Sequence, residues 1–315
     1  MNNHDVKIIY IAGYGRSGST LIDRFISSNI SATGCGELAR LFFHAHQESV
    51  LGLCSCKSPY VKCPLWGPLL EKIRRHPLGG SFEELDRLTQ KIETTHPKKL
   101  DVSLSFEFYK YKWLWQTVFS YIQKKTGNKV VLDSSKTTPR GGGFRPFYLS
   151  KILDSKVLML HLTRHPTAVL NSVSKGSNKR LEDKRESDDN KQIRLMKSWF
   201  SWRGSNNIAY WLGRQKFIYR VGVNYEKFCE SPESFKATLI NTVEELWPET
   251  SQIGSSSKIY NAEIDNVDHG VGGNRMRRNK VHSIQIDNQW KKSATPFVKV
   301  LGGINYMWMN NFYQE

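Results

Sequence analysis

The sequence predicts an α/β fold, with a central parallel sheet flanked by helices. Four short apolar runs read as buried strands, helical patterns lie between them, and the turns that end the runs are rich in glycine, hydroxyls and cations. At 315 residues the chain can bury a sizeable core. The reading is one domain over 1–315, with a helical and loop insertion at about 48–126.

Ile8, Ile9, Tyr10 and Ile11 form the first run, which stops at Gly13 as a buried parallel strand would. Gly13-Tyr14-Gly15-Arg16-Ser17-Gly18-Ser19-Thr20 follows, and from there Leu21, Ile22, Phe25 and Ile26 have helical spacing. Strand, glycine loop and helix N-terminus together cradle a phosphate. Backbone N–H groups point at the anion, the helix dipole favours it, and glycine lets it approach. Gly13 and Gly18 have the spacing of a nucleotide-triphosphate loop, but Ser19 stands where that loop needs lysine. That lysine pairs the β/γ-phosphates, so its absence weakens an ATP- or GTP-hydrolysing reading. The cation here is Arg16, inside the loop.

Thr33-Gly34-Cys35-Gly36 is a turn before a helix carrying Leu38, Leu41, Phe42 and Ala45. Glu37 lies near its N-terminus, where a carboxylate complements the dipole. Cys54, Cys56 and Cys63, with His44 and His46 upstream, could ligate zinc. The Cys-x-Cys spacing is not that of the usual knuckle and no fourth ligand is fixed. A buried or redox-labile thiol cluster is therefore preferred, and no metal ligand is assigned. Phe82–Thr94 and Ser103–Thr126 read as helices, the second with an aromatic face (Trp113, Trp115, Phe119) of the kind that fills cores.

Lys129–Asp133 reads as the next strand, followed at once by Ser134-Ser135-Lys136-Thr137 at the strand end where open α/β sheets bind ligands. Val157–Leu162 is the third strand, ending Thr163-Arg164-His165-Pro166, and a helix from Pro166 holds Ser172. The polar stretch at about 175–191 reads as a mobile loop. Ile193–Leu212 is helical, and Phe217–Val223 is the fourth strand, closing on Asn224-Tyr225-Glu226. The loop-rich region Ser251–Ser283 contains His269-Gly-Val-Gly-Gly273-Asn274-Arg275-Met-Arg277, which could fold over an anion. Asn288–Trp290 and Pro296–Phe312 close the chain as helices.

Lys plus Arg total 46 against 29 acidic residues, a net charge of +17 that suits a polyanionic ligand. Nucleic acid is one such ligand, but most aromatics fall on helical core faces and no recognition motif is present, so none is expected. No apolar run approaches membrane-spanning length and none reads as a signal peptide. With Met1 as the start, the expected location is cytoplasmic. Five cysteines at uneven spacing do not suggest a disulfide framework.

Several stretches, in order, resemble the sulfotransferase superfamily. Gly13–Thr20 resembles the 5′-phosphosulfate loop. Leu160–Ser172 resembles the 3′-phosphate motif, Val223–Glu226 the tyrosine-containing strand end near the nucleotide, and His269–Arg277 the late clamp loop of bacterial members, which commonly have proline where Arg275 stands. Asp133-Ser-Ser-Lys136 and the Cys54/Cys56/Cys63/Trp66 pattern recur in the branch related to carbohydrate and protein-tyrosine sulfotransferases.

The resemblance implies a three-layer P-loop-like fold and a donor, 3′-phosphoadenosine 5′-phosphosulfate (PAPS), whose product is the bisphosphate PAP, with no metal required. It implies that Gly13, Gly15, Arg16, Ser17, Gly18, Ser19 and Thr20 hold the 5′ end. Arg164 and Ser172 would hold the 3′-phosphate, and Tyr225, Gly273, Asn274, Arg275 and Arg277 would complete the nucleotide site. Sulfuryl transfer, by analogy with phosphoryl transfer, needs positioning and charge stabilisation, for which Arg16 and Lys136 are the candidates. An acceptor hydroxyl must also lose a proton. Glu37 lies where carbohydrate and tyrosyl members carry a glutamate base, with His165 and His269 as competitors. The acceptor is expected to be a carbohydrate hydroxyl or a peptide tyrosine, with small metabolites behind. A P-loop kinase and a basic nucleic-acid-binding protein are the alternatives.

Overall fold

In the computed structural model, which describes residues 6–47, 53–99, 105–138, 142–175, 188–250, 269–272 and 284–312, the apolar runs become one sheet. Its strands are β1 (Lys7–Gly13), β2 (Ala32–Gly34), β3 (Val130–Asp133), β4 (Val157–Thr163) and β5 (Ile218–Asn224). They lie in the order β2-β3-β1-β4-β5, with every neighbour parallel. Parallel strands need crossovers, which here are mostly helical. The helices are α1 (Ser19–Asn29), α2 (Leu41–His46), α3 (Trp66–Arg75), α4 (Phe82–Thr94), α5 (Phe106–Thr126), α6 (Arg145–Leu153), α7 (Pro166–Ser174), α8 (Asp188–Leu212), α9 (Tyr225–Glu230), α10 (Pro232–Leu246), α11 (Gln289–Ser293) and α12 (Pro296–Phe312).

Alternation along β1 divides the core into two faces. Ile8 and Tyr10 pack with Val131, Met159 and the aromatic side of α5 (Tyr111, Trp115, Phe119). Ile9 and Ile11 pack with Leu132, Leu160, α1 and α10. Side chains buried this fully contribute about 1.5–3 kcal/mol each, which holds the helix, sheet and helix layers together. The strand C-termini therefore all open on one edge. Among the described residues no helix is long and apolar enough to cross a membrane.

Several elements were absent from the sequence reading. β2 has three residues, too few to show a period. In α6 the polar Arg145 and Ser150 are buried with Tyr148, Leu149, Ile152 and Leu153, while Phe147 shares the open face with Lys151, so polarity does not track exposure along the helix. α3, α9 and α10 were likewise unassigned. α8 begins at Asp188, five residues before its apolar period, so the polar stretch expected to be a loop ends as helix. The rest of that stretch, 176–187, lies outside the described residues.

Beneath the strand ends lies a buried charge network. The fully buried Arg145 guanidinium donates from Nε to Asp133 Oδ2 at 2.7 Å and from Nη1 to Glu93 Oε1, and it stacks 3.8 Å over the Trp115 ring. Tyr111 also donates to Glu93. One cation stands between two acids in a dry site. Burial pulls Arg145 down, but Glu93 and Asp133 more than offset this and hold it charged. Burial pushes Glu93 up to about 7, although Arg145 pulls the other way.

The folded chain thus binds the Glu93 proton more tightly than the unfolded chain does. This stabilises the fold below about pH 4.5, the ordinary range for glutamate, and the contribution is lost as pH rises through about 7. Glu93→Gln mimics the protonated acid at every pH. The melting temperature of this variant relative to wild type is expected to rise between those two pH values and then level off; a difference independent of pH would contradict the assignment.

Candidate functional site

The glycine loop joins β1 to α1 as the spacing predicts. Gly13 (φ +106°) accepts no Cβ, because one would lie 2.3 Å from the Leu162 carbonyl oxygen on the neighbouring strand. Its N–H donates to Thr137 Oγ1 at 3.0 Å. Gly18 (φ +94°) precedes α1, which has no side-chain cap and no acidic residue in its first turn. Ser17, Ser19 and Thr20 are buried beside it, and open space faces Gly15. A helix start left in this state favours an anion.

Arg16, Glu37 and Lys136 come from three separate segments and line one cleft of about 540 Å³. Lys136 Nζ donates to Glu37 Oε1 at 2.5 Å, with both side chains mostly shielded. Burial pulls the Arg16 guanidinium below its ordinary value, and Glu37 partly restores it. Arg16 (φ +68°) and Lys136 (φ +70°) both hold left-handed backbone without being glycine, a conformation that costs about 1–3 kcal/mol and clusters at functional sites. Tyr10 helps hold Lys136 there, its hydroxyl donating to the Lys136 carbonyl at 2.5 Å.

Backbone pairing places Glu37. Beyond β2 the chain continues as an extra rung: Cys35 N–H donates to the Leu132 carbonyl at 2.9 Å, and Ser134 N–H to the Gly36 carbonyl at 2.7 Å. On the other edge Val271 N–H donates to the Cys35 carbonyl at 2.8 Å, and Glu37 N–H to the Val271 carbonyl at 2.7 Å. Gly36 (φ +70°) must be glycine, since a Cβ would meet the Val271 oxygen at 2.4 Å. Ser135 completes the tie, its Oγ accepting from Ala39 N–H at 2.9 Å while its N–H donates to Asp133 at 3.0 Å.

Arg164, at the end of β4, reaches the glycine loop. Its Nη1 donates to the Arg16 carbonyl at 3.1 Å and its Nη2 to Asp287 at 2.9 Å, and the guanidinium stacks 4.5 Å over Tyr225. Its Nε is buried without a partner among the described residues. The Tyr225 ring packs directly on Gly18, where a Cβ would lie 2.4 Å from it. Ser172 lies within α7, half-buried. Gly273, Asn274, Arg275 and Arg277 lie outside the described residues.

The two competing histidines are engaged elsewhere. His165 caps α7, its Nδ1 accepting from Thr167 N–H, and it is stacked between Trp290 and Tyr306. His269 lies with Cys54, Cys56 and Cys63, four ligating atoms within 4.8 Å of one another. Neither histidine considered upstream joins them: His44 stacks on Tyr60 and His46 lies against Phe43. Nothing in the sequence tied His269 to these cysteines, since it lies more than two hundred residues beyond Cys63.

Comparison with protein-family profiles and with curated proteins returns no match. Among solved structures, a sulfotransferase domain from the curacin biosynthetic pathway aligns over 96% of this chain and 98% of its own, at 17% identity and a TM-score of 0.42. A likeness that loose carries no argument about this chain's activity.

Gly18→Ala forces a methyl group into the Tyr225 ring at a left-handed position. It is expected to cost about 1–3 kcal/mol of stability, read by chemical denaturation. An unchanged denaturation midpoint would show that Tyr225 does not pack on the loop.

Proposed function

We propose that this chain is a PAPS-dependent sulfotransferase acting on a hydroxyl acceptor, a carbohydrate or peptide tyrosine in preference to a small metabolite. The observation that carries the reading is the convergence of Arg16, Lys136 and Glu37 in one cleft beside an uncapped helix start. The motif resemblances at Gly13–Thr20 and Leu160–Ser172 support it. Bound, the nucleotide would supply a sulfuryl group to the acceptor oxygen and leave as the bisphosphate.

The residues present suit such a ligand. The N-terminus of α1 and the space above Gly15 receive the 5′ end, while Arg164, with its buried unpartnered Nε, takes the ribose phosphate at some competition from Asp287. Tyr225, stacked under Arg164, keeps that guanidinium flat beside the loop. Arg16 and Lys136 set two cations where negative charge develops on the departing phosphate, a role that needs no metal. Glu37 is an acceptor-only carboxylate held in place by Lys136, and it takes the acceptor's hydroxyl proton at its own oxygen.

Transfer of radiolabelled sulfuryl from PAPS to a panel of sugars and tyrosyl peptides tests this. Arg16→Ala and Lys136→Ala are expected to lower turnover by about 10²–10³, the scale of losing one electrostatic donor. Glu37→Gln is expected to lower kcat by about 10²–10⁴ while PAP affinity is little changed. Turnover intact in Glu37→Gln would remove the glutamate from the base role, and turnover intact in the first pair would overturn the leaving-group assignment.

A further inference from the structure

The cluster of Cys54, Cys56, Cys63 and His269 lies outside the cleft. Cys54 and Cys56 sit in a short hairpin closed by the Leu53–Pro59 bridge and turned at Lys57, a third non-glycine residue in left-handed backbone (φ +69°). Cys63 follows a single helical turn, and Trp66 begins α3 just beyond it. His269 arrives from the far end of the chain. Its carbonyl accepts from Trp66 Nε1 at 2.7 Å, and the next carbonyl, Gly270, accepts from Ser55 Oγ at 3.0 Å.

The spacing of the four ligating atoms is informative. The Cys63 sulfur is 3.6 Å from that of Cys54 and 3.8 Å from that of Cys56. His269 Nδ1 is 3.2 Å from the Cys63 sulfur and 3.8 Å from that of Cys54. Tetrahedral zinc, with bonds of about 2.3 Å to sulfur and about 2.0 Å to nitrogen, sets its ligands about 3.8 Å apart between sulfurs and about 3.5 Å from sulfur to nitrogen. These four distances lie within about 0.4 Å of those values, and the remaining pairs lie within 4.8 Å. A disulfide would instead need sulfurs about 2.05 Å apart and would leave one of the three cysteines over.

We infer that Cys54, Cys56, Cys63 and His269 Nδ1 form a closed, four-coordinate structural zinc site. Four protein ligands leave no open position, so the metal's role is to join segments. The segment it anchors is specific. Two residues after His269, Val271 makes the paired hydrogen bonds that place Cys35 and Glu37, and Gly272 N–H donates to Tyr60 Oη at 3.0 Å. Zinc would thus tie the late loop and the Glu37 rung to the hairpin. The inference stands independently of the chemistry assigned to the cleft.

Elemental analysis of the full chain, purified without added metal, is expected to find about one zinc per chain. Cys63→Ser and His269→Asn are expected to lower that at least about tenfold, while Cys229→Ser, which alters a buried cysteine outside the cluster, keeps it. Because the ligand variants could fail to fold, the wild-type chain is also titrated with an organomercurial in the presence of a zinc indicator. Stoichiometric release on thiol modification, and intense visible bands after cobalt exchange, are expected. Zinc no higher in wild type than in Cys63→Ser, no release on titration, or a disulfide among the three cysteines in a peptide mass map would overturn the site.

Discussion

The rung Cys35-Gly36-Glu37 is the constraint on which the cleft depends. It is hydrogen-bonded on both edges, to Leu132 and Ser134 on one side and to Val271 on the other. Each bond contributes only about 0.5–1.5 kcal/mol, but a rung paired on both edges has little freedom to shift. Glu37 therefore points from a fixed backbone position toward Lys136, which emerges from the strand end paired with that rung. The positive φ at Gly36 is the local condition: any Cβ there would push Val271 away and separate the two edges.

The electrostatics follow from this placement. Two cations, Arg16 and Lys136, are held in left-handed backbone at the ends of adjacent strands. Glu37 offsets part of their mutual repulsion. The deeper Arg145–Asp133–Glu93 network supports the same strand end: Asp133 faces Arg145 below and accepts from the Ser135 backbone above. Removing Arg145, the one cation of this network, leaves the buried Asp133 carboxylate uncompensated, at about 3–5 kcal/mol. The sheet end is accordingly stiff where the cleft needs it to be.

Much of the strand and loop pattern was legible in the sequence, because its signals are local. Apolar runs mark β1, β3, β4 and β5, the first ending at Gly13, and Ser19 in the lysine position separates this loop from a triphosphate loop. Helices α4 and α12 have the bounds that the sequence pattern predicts, and α4 also carries a capping box at Ser81 and Glu84. Long-range pairing was not legible. Nothing in a linear reading brings Val271 to Gly36 or His269 to Cys63. α6 gave no clear amphipathic signal because its polar Arg145 and Ser150 are buried while the apolar Phe147 lies on the partly open face with Lys151. Glu37 and Lys136 were each identified from position, but their contact at 2.5 Å depends on β2 and β3 being neighbours.

The central claim is that the glycine loop and Arg164 hold a nucleotide bisphosphate without metal. Calorimetric titration with PAP against ATP plus Mg²⁺, in wild type and Arg164→Ala, tests it most directly. The account predicts metal-independent PAP binding in the micromolar range that is lost in Arg164→Ala, with little heat from Mg·ATP. Preference for Mg·ATP, or PAP binding indifferent to Arg164→Ala, would contradict it.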